Sequence, residues 1–216
     1  MSTAIAAAPA DRLARTTEQP RAETFVVEGN LAGRVQVVVV KLYQAGKLKI
    51  GHGLDPVTTL GPLVSDEQYQ KVQGYLESGR SEGAEVVVGG STHGNRGYFI
   101  KPTVLARTNR DMKVVREEIF GPVICVQPFE EDDLDGIAKF ANDTEYGLSA
   151  SIWTQDLTKA HTLARKIRAG TVWVNTHNWG DAALPFGGYK QSGWGREMGE
   201  EVLNNYLETK SVIVGL

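Results

Sequence analysis

Between Ser65 and Val174 short β-branched runs alternate with helical stripes of apolar residues, and this alternation restricts the fold more than any other feature of the chain. Ser65 followed by Gln68 has the spacing of a capping box, and Tyr69, Val72 and Leu76 recur at helical intervals up to the glycines at 79 and 83. A second stripe joins Leu134, Ile137, Ala138 and Ala141. A third runs from a possible N-cap at Asp156 through Ala160, Leu163, Ala164 and Ile167 to a stop at Gly170. Strands are predicted for Glu85 to Gly89, Tyr98 to Leu105, Val123 to Phe129, Leu148 to Trp153 and Thr171 to Val174. A helix around Glu197 to Leu207 and a last strand, Ser211 to Val214, complete the pattern. It predicts an α/β domain with a largely parallel sheet covered on both faces.

The chain before this region reads differently. Residues 1–24 are alanine-rich and carry no sustained periodicity, so a loose tail is expected. Residues 25–50 hold a valine-rich run, Val35 to Val40, that period alone cannot assign to strand or helix. Of the 216 residues, 23 are Lys or Arg and 26 are Asp or Glu, a formal charge of −3 that gives no basic field for nucleic acid or anionic lipid. The single cysteine excludes an internal disulfide, no zinc-type spacing occurs, and the longest apolar runs are far too short to span a membrane. A soluble, cytoplasmic protein without a metal site is the expectation.

Two segments have the residue types for chemistry. Glu117-Glu118-Ile119-Phe120-Gly121-Pro122-Val123 sets two carboxylates and a ring at the entry to a strand, where ligands bind in open α/β sheets. A carboxylate there can accept hydrogen bonds from ribose hydroxyls, and a ring can pack on a flat heterocycle. From residue types alone the same segment reads more simply as a solvated acidic turn with Phe120 in the core. The second segment, Leu184 to Gly199, is a loop dense in glycine. Its Gly193, Gly195 and Gly199 have the wrong spacing for a dinucleotide fingerprint, and no strand leads directly into them. Cys125 lies between Ile124 and Val126 in a predicted strand and is expected to be buried. His177 and Trp179, in the loop from Asn175 to Asp181, can line a pocket or belong to a structural connection.

Taken together, Glu-Glu-Ile-Phe-Gly-Pro-Val at 117–123, Gly-Thr-Val-Trp-Val-Asn at 170–175, Pro-Phe-Gly-Gly-Tyr-Lys-Gln-Ser-Gly at 185–193 and Gly-Arg-Glu at 195–197 resemble the NAD(P)-dependent aldehyde dehydrogenase family. Gly61-Pro62-Leu63 and Gly97-Tyr98-Phe99-Ile100-Lys101-Pro102-Thr103 fit the same order, so the resemblance runs from about Lys41 to the C-terminus. It implies the parallel-sheet catalytic-domain portion of that fold over residues 51–207, with the cofactor domain largely absent, and an inter-subunit strand at 208–216. It also implies oxidation of an aldehyde to an acid through a cysteine thiohemiacetal and thioester, with NAD or NADP as hydride acceptor. By resemblance, Glu118 holds the nicotinamide ribose, Phe120 contacts the nicotinamide end, and Trp179 and Phe186 line the aldehyde tunnel. Trp179 and the Thr176-His177-Asn178 loop are similar to those of members acting on aryl or small aliphatic aldehydes such as phenylacetaldehyde.

The departures matter as much as the matches. The family's nucleophile would fall near residues 15–22, which contain no cysteine, and the general-base and oxyanion motifs have no counterpart. No catalytic residue is therefore assigned. The expectation is a truncated relative that is inactive alone and binds cofactor weakly. The alternative is a non-catalytic module that self-associates or assembles with intact subunits. A third reading recruits Cys125 as a replacement nucleophile.

Overall fold

Two short sheets, rather than one continuous sheet, hold the predicted strands other than the last. The computed structural model describes residues 2–6, 25–26, 39–40, 42–127, 129 and 132–216. In chain order its elements are β1 (Ser2–Ala6), β2 (Phe25–Val26), β3 (Val39–Val40), α1 (Leu42–Lys47), α2 (Asp66–Ser81), β4 (Glu85–Val88), β5 (Thr103–Ala106), α3 (Lys113–Arg116) and β6 (Val123–Cys125). There follow α4 (Leu134–Asn142), β7 (Tyr146–Gly147), β8 (Ser149–Trp153), α5 (Leu157–Lys166), β9 (Thr171–Val174), β10 (Tyr189–Lys190) and a 3-10 helix, Glu200–Asn205. They divide into a unit spanning Pro9–Glu130 and a second made of Met1–Ala8 with Glu131–Leu216.

In the Pro9–Glu130 unit, β5 pairs antiparallel with β4 and parallel with β6. Helix α2 begins where Ser65, in extended backbone, accepts a 3.2 Å hydrogen bond from the Gln68 N–H, and Asp66 and Glu67 place negative charge in its first turn. Its buried stripe of Val72, Tyr75 and Leu76 meets Ile100, Leu105, Met112, Val114 and Ile119 in one apolar cluster. Gly79 permits this approach, since a Cβ there would lie 3.1 Å from Leu105 and 3.2 Å from Val114. All four residues of β5 are buried. The strand starts at Thr103 and not at Tyr98 because Pro102 has no N–H to give a ladder, leaving Ile100 only an isolated bridge to Thr92.

In the second unit β1, β8 and β9 form a parallel sheet with β8 in the middle. Ser149 to Ile152 are buried, as expected of a strand covered on both faces. Helices α4 and α5 start at Asp133 and Asp156, whose carboxylates accept from the N–H of Gly136 and Lys159. They bury Ile137, Ala138 and Ala141, and Ala160 and Leu163, respectively. Each large apolar side chain so buried contributes about 1.5–3 kcal/mol.

Two expectations change. Residues 2–6 of the supposed loose tail are strand β1, added to the open edge of β8, while the expectation for 7–24 lies outside the described residues. Around Glu197 to Leu207 there is a 3-10 helix instead of an α-helix. It follows Gly199, at φ 62°, and leaves Leu203, Tyr206 and Leu207 exposed, so no buried face stabilises a longer helix. The last strand, expected to pair outside the subunit, is not tested by a single chain: among the described residues 207–216 pair with no strand, and Val212, Ile213 and Val214 are exposed. Among the described residues no helix is long and apolar enough to cross a membrane, and no cluster of three metal-ligating side chains occurs.

Candidate functional site

In the Pro9–Glu130 unit the acidic segment forms a loop between α3 and β6, anchored from behind. Ile119 is 4% exposed and joins the core, whereas Phe120 is 71% exposed. The turn reading, with Phe120 in the core, is thus overturned: its neighbour Ile119 takes the apolar site. Phe120 adopts φ 50°, a left-handed backbone uncommon for a residue with a Cβ. Gln68 of α2 meets this turn, its amide Nε2 donating to the carbonyls of Ile119 at 2.8 Å and Phe120 at 3.0 Å. Tyr75 donates its hydroxyl to Glu117 Oε2 at 2.7 Å, and Glu118, the second carboxylate of the loop, is half-buried. Gly121 completes the anchor, because a Cβ there would come within 2.7 Å of a Val72 methyl.

Sequence reasoning missed Gln68 and Tyr75. Gln68 had been accounted for by the capping box, but only its backbone N–H takes part in that cap. The one available signal was Gln, with amide donors, standing where a cap is equally served by Glu. An exposed ring beside a carboxylate fits the nicotinamide end of a dinucleotide in its chemistry: the carboxylate accepts from a diol and the ring offers a flat face.

The second unit contains Trp179 and Phe186. The loop after β9 is tied down by Asn175, which accepts from the Thr154 N–H and donates to the Thr154 carbonyl, at 2.9 and 2.8 Å. Trp173 Nε1 donates to the Trp179 carbonyl at 2.7 Å, and His177 Nδ1 lies 2.8 Å from Oγ of buried Ser151, its ring edge-on to Trp173. The Trp179 ring is left 58% exposed. Phe186 exchanges two 2.7 Å backbone hydrogen bonds with Glu197, and it lines a cavity of about 400 Å³ together with Leu148, Trp194, Arg196 and Tyr206. Arg196 donates to the carbonyls of Gly188, Trp194 and Gly195, and Lys190 to those of Asn142 and Thr144. These two cations brace the glycine-rich loop. Burial, more than the nearby Arg168 charge, pulls the Lys190 ammonium pKa below its usual value.

Cys125 is half-buried in β6, with Sγ 3.3 Å from the Val114 carbonyl, and burial pushes its thiol up to about 12. A thiol held neutral is a poor nucleophile, which argues against the replacement role.

Comparison with known proteins gives one family. The model of the aldehyde dehydrogenase family matches residues 22–212. The chain is 51% identical over 172 residues to a putative aldehyde dehydrogenase, DhaS, of Bacillus subtilis, covering 80% of this chain and 34% of that protein. It is 48% identical over 192 residues to an aldehyde dehydrogenase of Agaricus bisporus, covering 89% and 37%. Among solved structures, the NAD+ complex of aldehyde dehydrogenase from Bacillus cereus superposes with a TM-score of 0.77 at 47% identity, over 82% of this chain and 35% of that one. The chain thus spans roughly a third of the length of the relatives it matches.

Proposed function

The chain belongs to the aldehyde dehydrogenase family, and from that premise we propose that its Pro9–Glu130 unit carries residues for the nicotinamide end of the cofactor, and its second unit residues of an aldehyde-pocket wall, for NAD(P)-dependent aldehyde oxidation. The exposed ring of Phe120, held out beside Glu118 by a loop anchored to α2, is the observation that carries this reading. Glu118 accepts hydrogen bonds from the nicotinamide ribose, and Phe120 packs at the nicotinamide end. When bound, the cofactor supplies the hydride acceptor. Trp179 and Phe186 present apolar rings to the aldehyde, for which an aryl or small aliphatic substrate is the best match.

These residues bind and orient, and they do not replace a nucleophile. The sole cysteine of the 216 residues is Cys125, with its raised thiol pKa. The purified chain is therefore expected not to oxidise aldehydes with NAD or NADP. Steady cofactor reduction above a heat-killed control, abolished by Cys125→Ser, would overturn this. Affinity for NAD is expected in the millimolar range or weaker, about −4 kcal/mol, because only one end of the cofactor finds partners. Micromolar binding by calorimetry is the contrary result.

A second reading, an assembly module, draws support from the exposed tail: Val212 and Val214 are 75% and Ile213 is 95% exposed. Pairing of this segment with another copy, or with an intact subunit, would cover it. Light scattering should then detect a dimer or larger species that truncation after Glu208 weakens. A monomer unchanged by the truncation at high micromolar concentration speaks against it.

A further inference from the structure

Gln68 is not among the residues proposed to meet a ligand, yet its side chain makes two hydrogen bonds from α2 to the carbonyls of the Phe120 turn. We infer that Gln68 is a positioning residue: its side-chain amide locks the 119–120 carbonyls, holds Phe120 in the left-handed conformation, and so keeps the ring presented to a nicotinamide. This rests on the assignment of Phe120 to the nicotinamide end.

The physical case has three parts. First, Phe120 sits at φ 50°, where its Cβ crowds the backbone, and a free loop would relax toward negative φ. Second, the ring cannot supply the restraint, since it is 71% exposed. The restraint must come from the backbone, and Gln68 binds both carbonyls that flank the Phe120 N–Cα bond. Third, the base of Gln68 is rigid: its own N–H is held by Ser65 at the start of a 16-residue helix, and Val72, one turn on, is fully buried. Both partners are acceptors, so two donor hydrogens are required, and the –NH₂ group of the Gln68 amide supplies them without adding a charge. Gln70 and Gln73, on the same helix, bond to helix side chains instead.

The variants separate this role from a general stabilising one. Gln68→Glu keeps the length of the side chain, leaves the Ser65 cap intact and suits a helix N-terminus, so α2 should be at least as stable. Its carboxylate has no hydrogen to give and would face two carbonyl oxygens. Gln68→Ala removes the amide without the charge.

The test uses the full chain in solution NMR, with nicotinamide mononucleotide as the probe. In the wild type Phe120 should show the strong intraresidue HN–Hα cross-peak that marks positive φ, and the probe should bind. In Gln68→Glu and Gln68→Ala that cross-peak should weaken, and probe affinity should fall at least about fivefold, the loss of one hydrogen bond or more. In a Phe120→Ala background the same substitutions should leave the residual affinity unchanged. A cross-peak that persists in Gln68→Glu overturns the inference, whether affinity holds or falls, since a fall would then mean direct contact with the probe. Loss of the cross-peak with affinity unchanged overturns it as well. If wild type and Phe120→Ala bind the probe equally, or neither binds, the nicotinamide assignment fails, and with it the functional half of the inference. The cross-peaks then decide separately whether Gln68 holds the turn.

Discussion

Gly121→Ala tests the geometry of the acidic loop with a single methyl group. An added Cβ would meet the two Val72 methyls at 2.7 and 3.1 Å, and Val72, fully buried and β-branched, has little freedom to move aside. Overpacking of this kind costs about 1–3 kcal/mol. Against it stands the usual gain of about 0.4–1 kcal/mol when Gly is replaced by Ala, available here because Gly121 does not adopt positive φ. The clash wins, and a net loss of about 0.5–2 kcal/mol is expected. Val72→Ala alone should cost about 2 kcal/mol by removing buried methyls and leaving a cavity. It also vacates the space that the new Cβ needs, so the double variant should be more stable than the sum of the singles by about 1 kcal/mol. Urea denaturation followed by far-UV circular dichroism measures the losses, and amide exchange in α2 localises them. Wild-type stability in Gly121→Ala, or strict additivity in the double variant, would refute the packing described for this loop.

Other perturbations have equally defined outcomes. Burial holds the Cys125 thiol neutral until about pH 12, against an ordinary value of 9.0. The unfolded chain therefore loses its thiol proton first as pH rises. This contribution to stability is complete below pH 9 and declines above it by about 1.4 kcal/mol per pH unit, a slope that Cys125→Ala should remove from urea titrations. Trp173→Phe deletes the N–H that holds the Trp179 carbonyl, so chymotrypsin should cut faster after Trp179 while the parallel sheet stays intact. Lys190→Met leaves the carbonyls of Asn142 and Thr144 without their donor and should cost about 1–3 kcal/mol. Tryptophan fluorescence reads that loss, since all four tryptophans lie in the same unit as Lys190.

Local signals in the sequence were strongest where one turn or one strand carries its own pattern. Ser65 and Asp156 cap helices as their positions suggest, because a short polar side chain reaches an N–H three residues on without outside help, and the structure adds Asp133 by the same geometry. The stripes of α2, α4 and α5 bury most of the residues their spacing indicates, with Tyr69, Leu134 and Ala164 half-buried, and the motifs at 117–123 and 185–193 pointed to the family that comparison established. Signals weakened where an element depends on a distant partner. Ser2–Ala6 has little pattern of its own and becomes a strand through the free edge of β8. Ser211 to Val214 reads as a strand that pairs outside its own subunit, and among the described residues it has no ladder partner.

The amino-acid sequence by itself determined the α/β character, the helix starts and the family, since each rests on contacts between near neighbours or on a run of residue types. Which of Ile119 and Phe120 turns inward, and that Gln68 leaves half of its capping box to hold their carbonyls, were decided only by the tertiary structure. Gln68 and those carbonyls are separated by 51 and 52 residues. Competition for one apolar site and one pair of acceptors is settled only when α2 and the loop are packed together.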